Sequence, residues 1–94
     1  MTWHFKWDDE KAAENLKRHG VSFGEARRIF DDPLASTVFD VLHSTAEEER
    51  FITIGQTPEG RTLRVVHSDS GDLIRIISAR EATRPEREAY EEGT

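Results

Sequence analysis

The sequence contains no cysteine. That excludes a disulfide framework and a thiolate-ligated metal, and it fits a reducing compartment. No apolar run approaches the roughly 18–20 residues that a membrane-spanning helix needs. The opening stretch, Met1 to Trp7, lacks the charged-then-apolar order of a signal peptide, so the chain is expected in the cytoplasm, without membrane contact. The four histidines, His4, His19, His43 and His67, lack ligand spacings such as HxxxH or HxH. Neither a Walker-type phosphate loop nor a nucleophile elbow is present. No metal and no cofactor is therefore expected. Internal repeats and low-complexity linkers are missing as well.

What is present is enough for one domain over residues 1–94. A chain this short buries only roughly 60–65% of its unfolded surface. With 35% hydrophobic residues, it supplies one layer of helices against one sheet. The formal net charge is −6, which taken whole argues against a polyanionic ligand. The distribution is uneven. Residues 1–60 carry a net of −5, residues 61–87 a net of +2, and residues 88–94 a net of −3. Arginine is thus concentrated in the last third of the chain.

Punctuation by Gly and Pro divides the chain cleanly. Trp3, Phe5 and Trp7 alternate with polar residues, as in a short half-buried strand. Asp8 reads as the N-cap of a first helix with Asp9 and Glu10 in its first turn. Ala12, Ala13 and Leu16 give its apolar stripe, and Gly20 its left-handed terminus. Ser22-Phe23-Gly24-Glu25 reads as a capping box for a second helix that buries Phe23, Ala26, Ile29 and Phe30 and stops at Asp31-Asp32-Pro33. Strands are expected at 34–39, 50–57, 61–68 and 73–80. Turns fall at Pro58-Glu59-Gly60 and at 69–72. Thr83-Arg84-Pro85-Glu86 combines a capping box with Pro in the first turn and opens a last helix through about Tyr90. The order β-α-α-β-β-β-β-α predicts an α+β fold, an antiparallel sheet with helices packed on one face.

Side chains alternate across a strand. With two four-residue turns, one face of the sheet collects Ile52, Ile54, Leu63, Val65, Ile74 and Ile76, a purely aliphatic set for the helices to cover. The other collects Phe51, Thr53, Arg64, Val66, Arg75 and Ile77. A one-residue change in either turn moves a whole strand to the opposite face. Arginines on that second face are either solvated and paired with carboxylates, or they bind phosphates.

The run Phe5-Lys6-Trp7-Asp8, then Lys11, Asn15 and Lys17-Arg18-His19-Gly20-Val21-Ser22-Phe23 with Glu25-Ala26, resembles the opening of the BrnT family. So do Asp32-Pro33, Glu49-Arg50, Ile54-Gly55, Gly60-Arg61, Val65-Val66, Ile74-Arg75-Ile76-Ile77-Ser78-Ala79-Arg80, Glu86-Arg87 and Tyr90-Glu91. The resemblance spans nearly the whole chain in order. It implies a RelE-like fold and a bacterial type II toxin that cleaves RNA and blocks translation. It further implies a BrnA-type antitoxin as partner, with DNA contacted only through that antitoxin. An acidic balance departs from what a ribonuclease toxin would carry.

RNA cleavage without a metal needs a base for the 2′-hydroxyl, a cation for the pentavalent phosphate and an acid for the leaving 5′-oxygen. Arg64 and Arg75 are the expected phosphate contacts. Arg80, at the end of the last strand, joins them as a further catalytic candidate, although alternation starts it on the core face. His67 titrates near neutrality and is the candidate base or acid. It too falls on the aliphatic face, where a capping or salt-bridged histidine is the plainer reading. Lys17, His19, Thr53 and Arg84 complete the expected RNA contacts, with Lys17 and His19 also placed to complement a helix dipole. Tyr90 is either a proton shuttle or a core cap. The competing function is a non-catalytic module whose open face binds only a protein.

Overall fold

The computed structural model describes residues 3–93, so Met1, Thr2 and Thr94 lie outside the description. The elements run β1 (His4–Lys6), α1 (Asp9–His19), α2 (Phe23–Ala26), a 3₁₀ turn (Arg27–Asp31), β2 (Ser36–Phe39), β3 (Arg50–Gln56), β4 (Thr62–Ser70), β5 (Leu73–Glu81) and α3 (Arg84–Glu92). The expected order is met. The second helix tightens into 3₁₀ geometry in its last turn, because Pro33 disfavours helical backbone at Asp32 and the chain must leave. No helix among the described residues is long and apolar enough to cross a membrane.

The local signals act as read at most helix ends. Asp8 accepts from the Lys11 N–H (3.0 Å), and Gly20 sits at φ +69°. Thr83 and Glu86 form a complete capping box. At Ser22 only half of the expected box exists. The hydroxyl accepts from Glu25 N–H (2.9 Å), while the Glu25 carboxylate turns to Arg61 (2.8 Å).

The apolar stripe of α1 is phased differently from the reading. Leu16 is half exposed, and the buried residue is Asn15. Its amide donates to the carbonyls of Val21 (2.9 Å) and Ala79 (2.8 Å) and accepts from Ala79 N–H (3.1 Å). A side chain so placed closes the edge of β5 beyond the reach of β1, which is why a polar residue is tolerated there.

The sheet runs β1-β5-β4-β3-β2. The last four strands form an antiparallel meander, and β1 joins β5 in parallel. The register corrects the expected faces. Gln56 opposes Thr62, so the first hairpin turn holds the five residues 57–61. Thr57 N–H donates to Arg61 C=O and Gly60, at φ +90°, donates to Thr57 C=O. An odd loop pairs residues of equal parity, and Thr53 therefore faces Val65. In the second hairpin Ser70 opposes Leu73 across a two-residue turn, and a bulge at Val66/His67 shifts the pairing once more.

The helix-side face consequently carries Thr53, Gly55, Leu63, Val65, His67, Ile74, Ile76 and Ala79, all buried. Val21, Phe23, Ala26 and Ile29 pack against it as the core. Ile52 and Ile54 point the other way, with Arg64 and Arg80. They are tolerated there because α3 lies over them through Pro85, Ala89 and Tyr90. The N-terminal helices cover one face as expected, and α3 covers part of the other.

Candidate functional site

The second face is organised in rows across the strands. In one row Ile54, Arg64 and Arg80 stand side by side on β3, β4 and β5. In another, Arg50, Ser68, Arg75 and Lys6 run from β3 to β1. Ile52, Val66 and Ser78 separate them. Arg64 and Ser68 are four residues apart, about 13 Å along an extended strand. The rows are therefore distinct anion positions. Five cations, Lys6, Arg50, Arg64, Arg75 and Arg80, share the face with Glu48 and Glu86, which pair with them, and with Asp8, Glu47 and Glu49 at its edges.

Like charges directly opposed on neighbouring strands repel. Arg64 and Arg80 are such a pair, and Glu86 offsets the repulsion. Arg80 donates both terminal nitrogens to its two oxygens (2.8 and 3.1 Å), and Arg64 Nε lies 3.5 Å from it. The Arg80 hydrogen bonds outweigh the cost of burial and hold the Glu86 carboxyl at about 2. Glu48 plays the corresponding part in the other row, accepting from Arg50 Nε (3.0 Å) and Arg75 Nη1 (3.2 Å). Each carboxylate marks a place where guanidinium groups converge on an anion.

The candidate residues separate on this geometry. Arg64 and Arg80 are brought together, and the reading that started Arg80 on the core face is corrected by the bulge at Val66/His67. Arg75 is on the same face but in the other row. Thr53 and His67, 1% exposed each, are on the opposite face. The five-residue turn puts Thr53 there, so neither it nor His67 can touch RNA on the arginine face.

The two form a buried chain instead. In the neutral histidine, Nδ1–H donates to Asp69 (2.6 Å), while Nε2 accepts from the Thr53 hydroxyl (2.7 Å). Thr53 in turn is 2.7 Å from Thr37 Oγ1. Burial lowers the His67 pKa, against the opposing pull of Asp69.

Lys17 and His19 are exposed at the end of α1. His19 lines a shallow cleft with Lys11 and Arg18 against Ile77 and Ser78 of β5. Arg84, at the start of α3, is highly exposed and paired with Glu88. Tyr90 is an anchor: its hydroxyl donates to Asp32 (2.5 Å), and burial together with that carboxylate pushes its pKa up to about 12. The reading missed Lys6, Arg50, Glu48 and Glu86. Strand parity would have found Arg50 once the first turn was given five residues, whereas Lys6 joins the face through the parallel pairing of β1 with β5.

Comparison with known proteins agrees with this architecture. A family model described as the ribonuclease toxin, BrnT, of a type II toxin–antitoxin system matches residues 7–86. A solved structure, the ribonuclease toxin BrnT of Brucella abortus, is similar with a TM-score of 0.65 and 22% identity. The match covers 88% of this chain and all of that one. At that identity the likeness establishes the fold, which is the one the resemblance implied. No curated protein matches the chain significantly.

Proposed function

Because the chain belongs to the family of BrnT ribonuclease toxins of type II toxin–antitoxin systems, we propose that its arginine face binds RNA and cleaves it without a metal, so blocking translation in the cytoplasm. The observation that carries this reading is the Arg64–Arg80 pair converging on one carboxylate. A phosphate that displaced Glu86 would meet the same two guanidinium groups. Planar, always charged and forked, they suit the extra negative charge of a pentavalent phosphate.

In the proposed reaction the RNA 2′-hydroxyl attacks its own 3′-phosphate, the bond to the 5′-oxygen breaks, and a cyclic phosphate and a free 5′-hydroxyl result. Arg64 and Arg80 stabilise the charge. Arg75, with Arg50 and Lys6, holds a neighbouring phosphate. Arg84 and His19 lie toward the rim and extend the strand path, and Lys17, exposed at the end of α1, is proposed to add to it. Burial takes His67 out of the proton transfers. Glu86, the carboxylate beside Arg64 and Arg80, is the proposed acceptor of the 2′-hydroxyl proton, which then passes to the leaving 5′-oxygen. The antitoxin partner that the family implies is proposed to be of the BrnA type, carrying any DNA contact.

A second reading rests on one observation. Each arginine row already holds a carboxylate of the chain itself, Glu86 in one and Glu48 in the other, as in a face that only docks a protein. Induced expression separates the two. Wild type is expected to arrest growth and degrade RNA, and Arg64→Ala/Arg80→Ala to do neither at equal protein level. Growth unaffected by wild type favours the docking module. Arrest that persists in the double variant moves the chemistry elsewhere.

A further inference from the structure

β2 is an edge strand whose one neighbour is β3. Asp40 N–H donates to Arg50 C=O (2.8 Å). By alternation Ser36 and Val38 turn their backbone groups toward β3, while Thr37 and Phe39 turn theirs outward. The side chains agree. Thr37 and Thr53 hydroxyls lie 2.7 Å apart, and the Phe39 and Phe51 rings 5.7 Å, as in the closer, non-hydrogen-bonded pairs.

Edge strands of monomers are usually blunted by shortness, charge, Pro, a bulge or a covering element, and of these β2 has its shortness, four residues. β2 has no Lys or Pro, its pairing with β3 is regular, and all four of its residues are exposed. The opposite side of the sheet shows the contrast, since Asn15 there occupies the free groups of Ala79.

Apolar surface continues from this edge. Leu34, Val38, Phe39, Val41 and Leu42 are five of the seven exposed large hydrophobic residues among those described. Val38 also lines an apolar groove of ≈ 360 Å³ between Ile52 and Ile54 of the sheet and Ala89 of α3. The segment that carries β2 has charge of one sign, although Arg50 lies beside its end and pairs with Glu48. Residues 29–49 contain six carboxylates and no Lys or Arg. A second copy added at this edge would oppose the same acidic segments, so charge disfavours self-pairing and favours a basic occupant.

The geometry points to β2 as the docking edge for an extended segment of the antitoxin, one that alternates apolar residues with Lys or Arg. It adds a sixth strand, and an apolar side chain enters the groove beside Val38. The inference rests on the family's toxin–antitoxin reading for the partner, but not on RNA cleavage.

The test uses the purified full chain and the purified product of the adjacent open reading frame. Amide exchange by NMR is expected to slow at least tenfold at Thr37 and Phe39 in the complex. Val38→Lys, on an exposed side chain, is expected to weaken the complex at least tenfold, and more than Val38→Glu does. A tight complex with unchanged exchange at Thr37 and Phe39 overturns the docking edge and leaves the ribonuclease reading standing. No complex at all overturns the choice of partner, with RNA cleavage judged separately. Concentration-dependent protection of the same amides in the chain alone assigns the edge to a second copy and overturns the inference.

Discussion

His67, a catalytic candidate by residue type, is held in a buried hydrogen-bonded chain on the face opposite the arginines. It lies in the middle of β4, on the buried face, between Asp69 and Thr53. Its neutral form is favoured by burial, so its folded pKa is lowered from 6.5. The unfolded chain takes up the proton first as pH falls. The stability His67 contributes is therefore present above about pH 6.5 and is lost as pH drops below that value. Urea unfolding between pH 7.5 and 5 is expected to show stability falling by at most about 1.4 kcal/mol per pH unit from this group. His67→Gln should flatten that dependence. An unchanged pH slope in the variant would remove His67 as its source. At Arg80 the chemistry is of another kind. The bidentate fork toward Glu86 cannot be copied by a lysine, so Arg80→Lys is expected to behave nearly as Arg80→Ala in RNA cleavage.

At the scale of the elements, α3 is held at two places on the arginine face. Glu86 meets Arg80 and Arg64 near its start, and Tyr90 meets Asp32 near its end. Burial works against the Asp32 charge, but hydrogen bonds from Tyr90 and from the Gln56 and Leu34 amides keep its pKa below the ordinary range. Tyr90→Phe removes one hydrogen bond to a carboxylate and is expected to cost about 1 kcal/mol in thermal unfolding. Gly55 constrains β3 more sharply. A Cβ there would stand 3.0 Å from Ala35 Cβ and 3.1 Å from Ile29 Cβ. Gly55→Ala is expected to destabilise the fold by about 1–3 kcal/mol, measured the same way. The elements themselves were legible because caps and turns are local chemistry: Asp8, Gly20, Thr83-Glu86 and Pro33 act where the sequence places them. The faces were not, because a face depends on counting. One extra turn residue at 57–61 and one bulge at Val66/His67 reassign Thr53, Ile52, Ile54 and Arg80, and neither leaves a composition signal. Asn15 was hidden for a related reason. Its burial answers to the free edge of β5, which is a tertiary fact.

The whole molecule is acidic, with a formal charge of −6, yet five cations gather on its arginine face. Binding of single-stranded RNA should follow the face and not the total. If about three phosphates are neutralised, log affinity falls with log salt at a slope near about −2, readable by fluorescence anisotropy from 50 to 300 mM salt. A slope near zero would place binding on something other than charge. On the proposed reading the two ligands divide the molecule, with protein on the β2 edge and RNA on the arginine face. The most direct measurement is cleavage of an end-labelled RNA by the purified wild-type chain beside Arg64→Ala/Arg80→Ala, both confirmed folded by circular dichroism. Wild type is expected to yield fragments ending in 2′,3′-cyclic phosphate, and the double variant to be slowed by about 10²-fold or more. Equal cleavage by both proteins, or none by wild type, would contradict an RNA-cleaving site at Arg64 and Arg80.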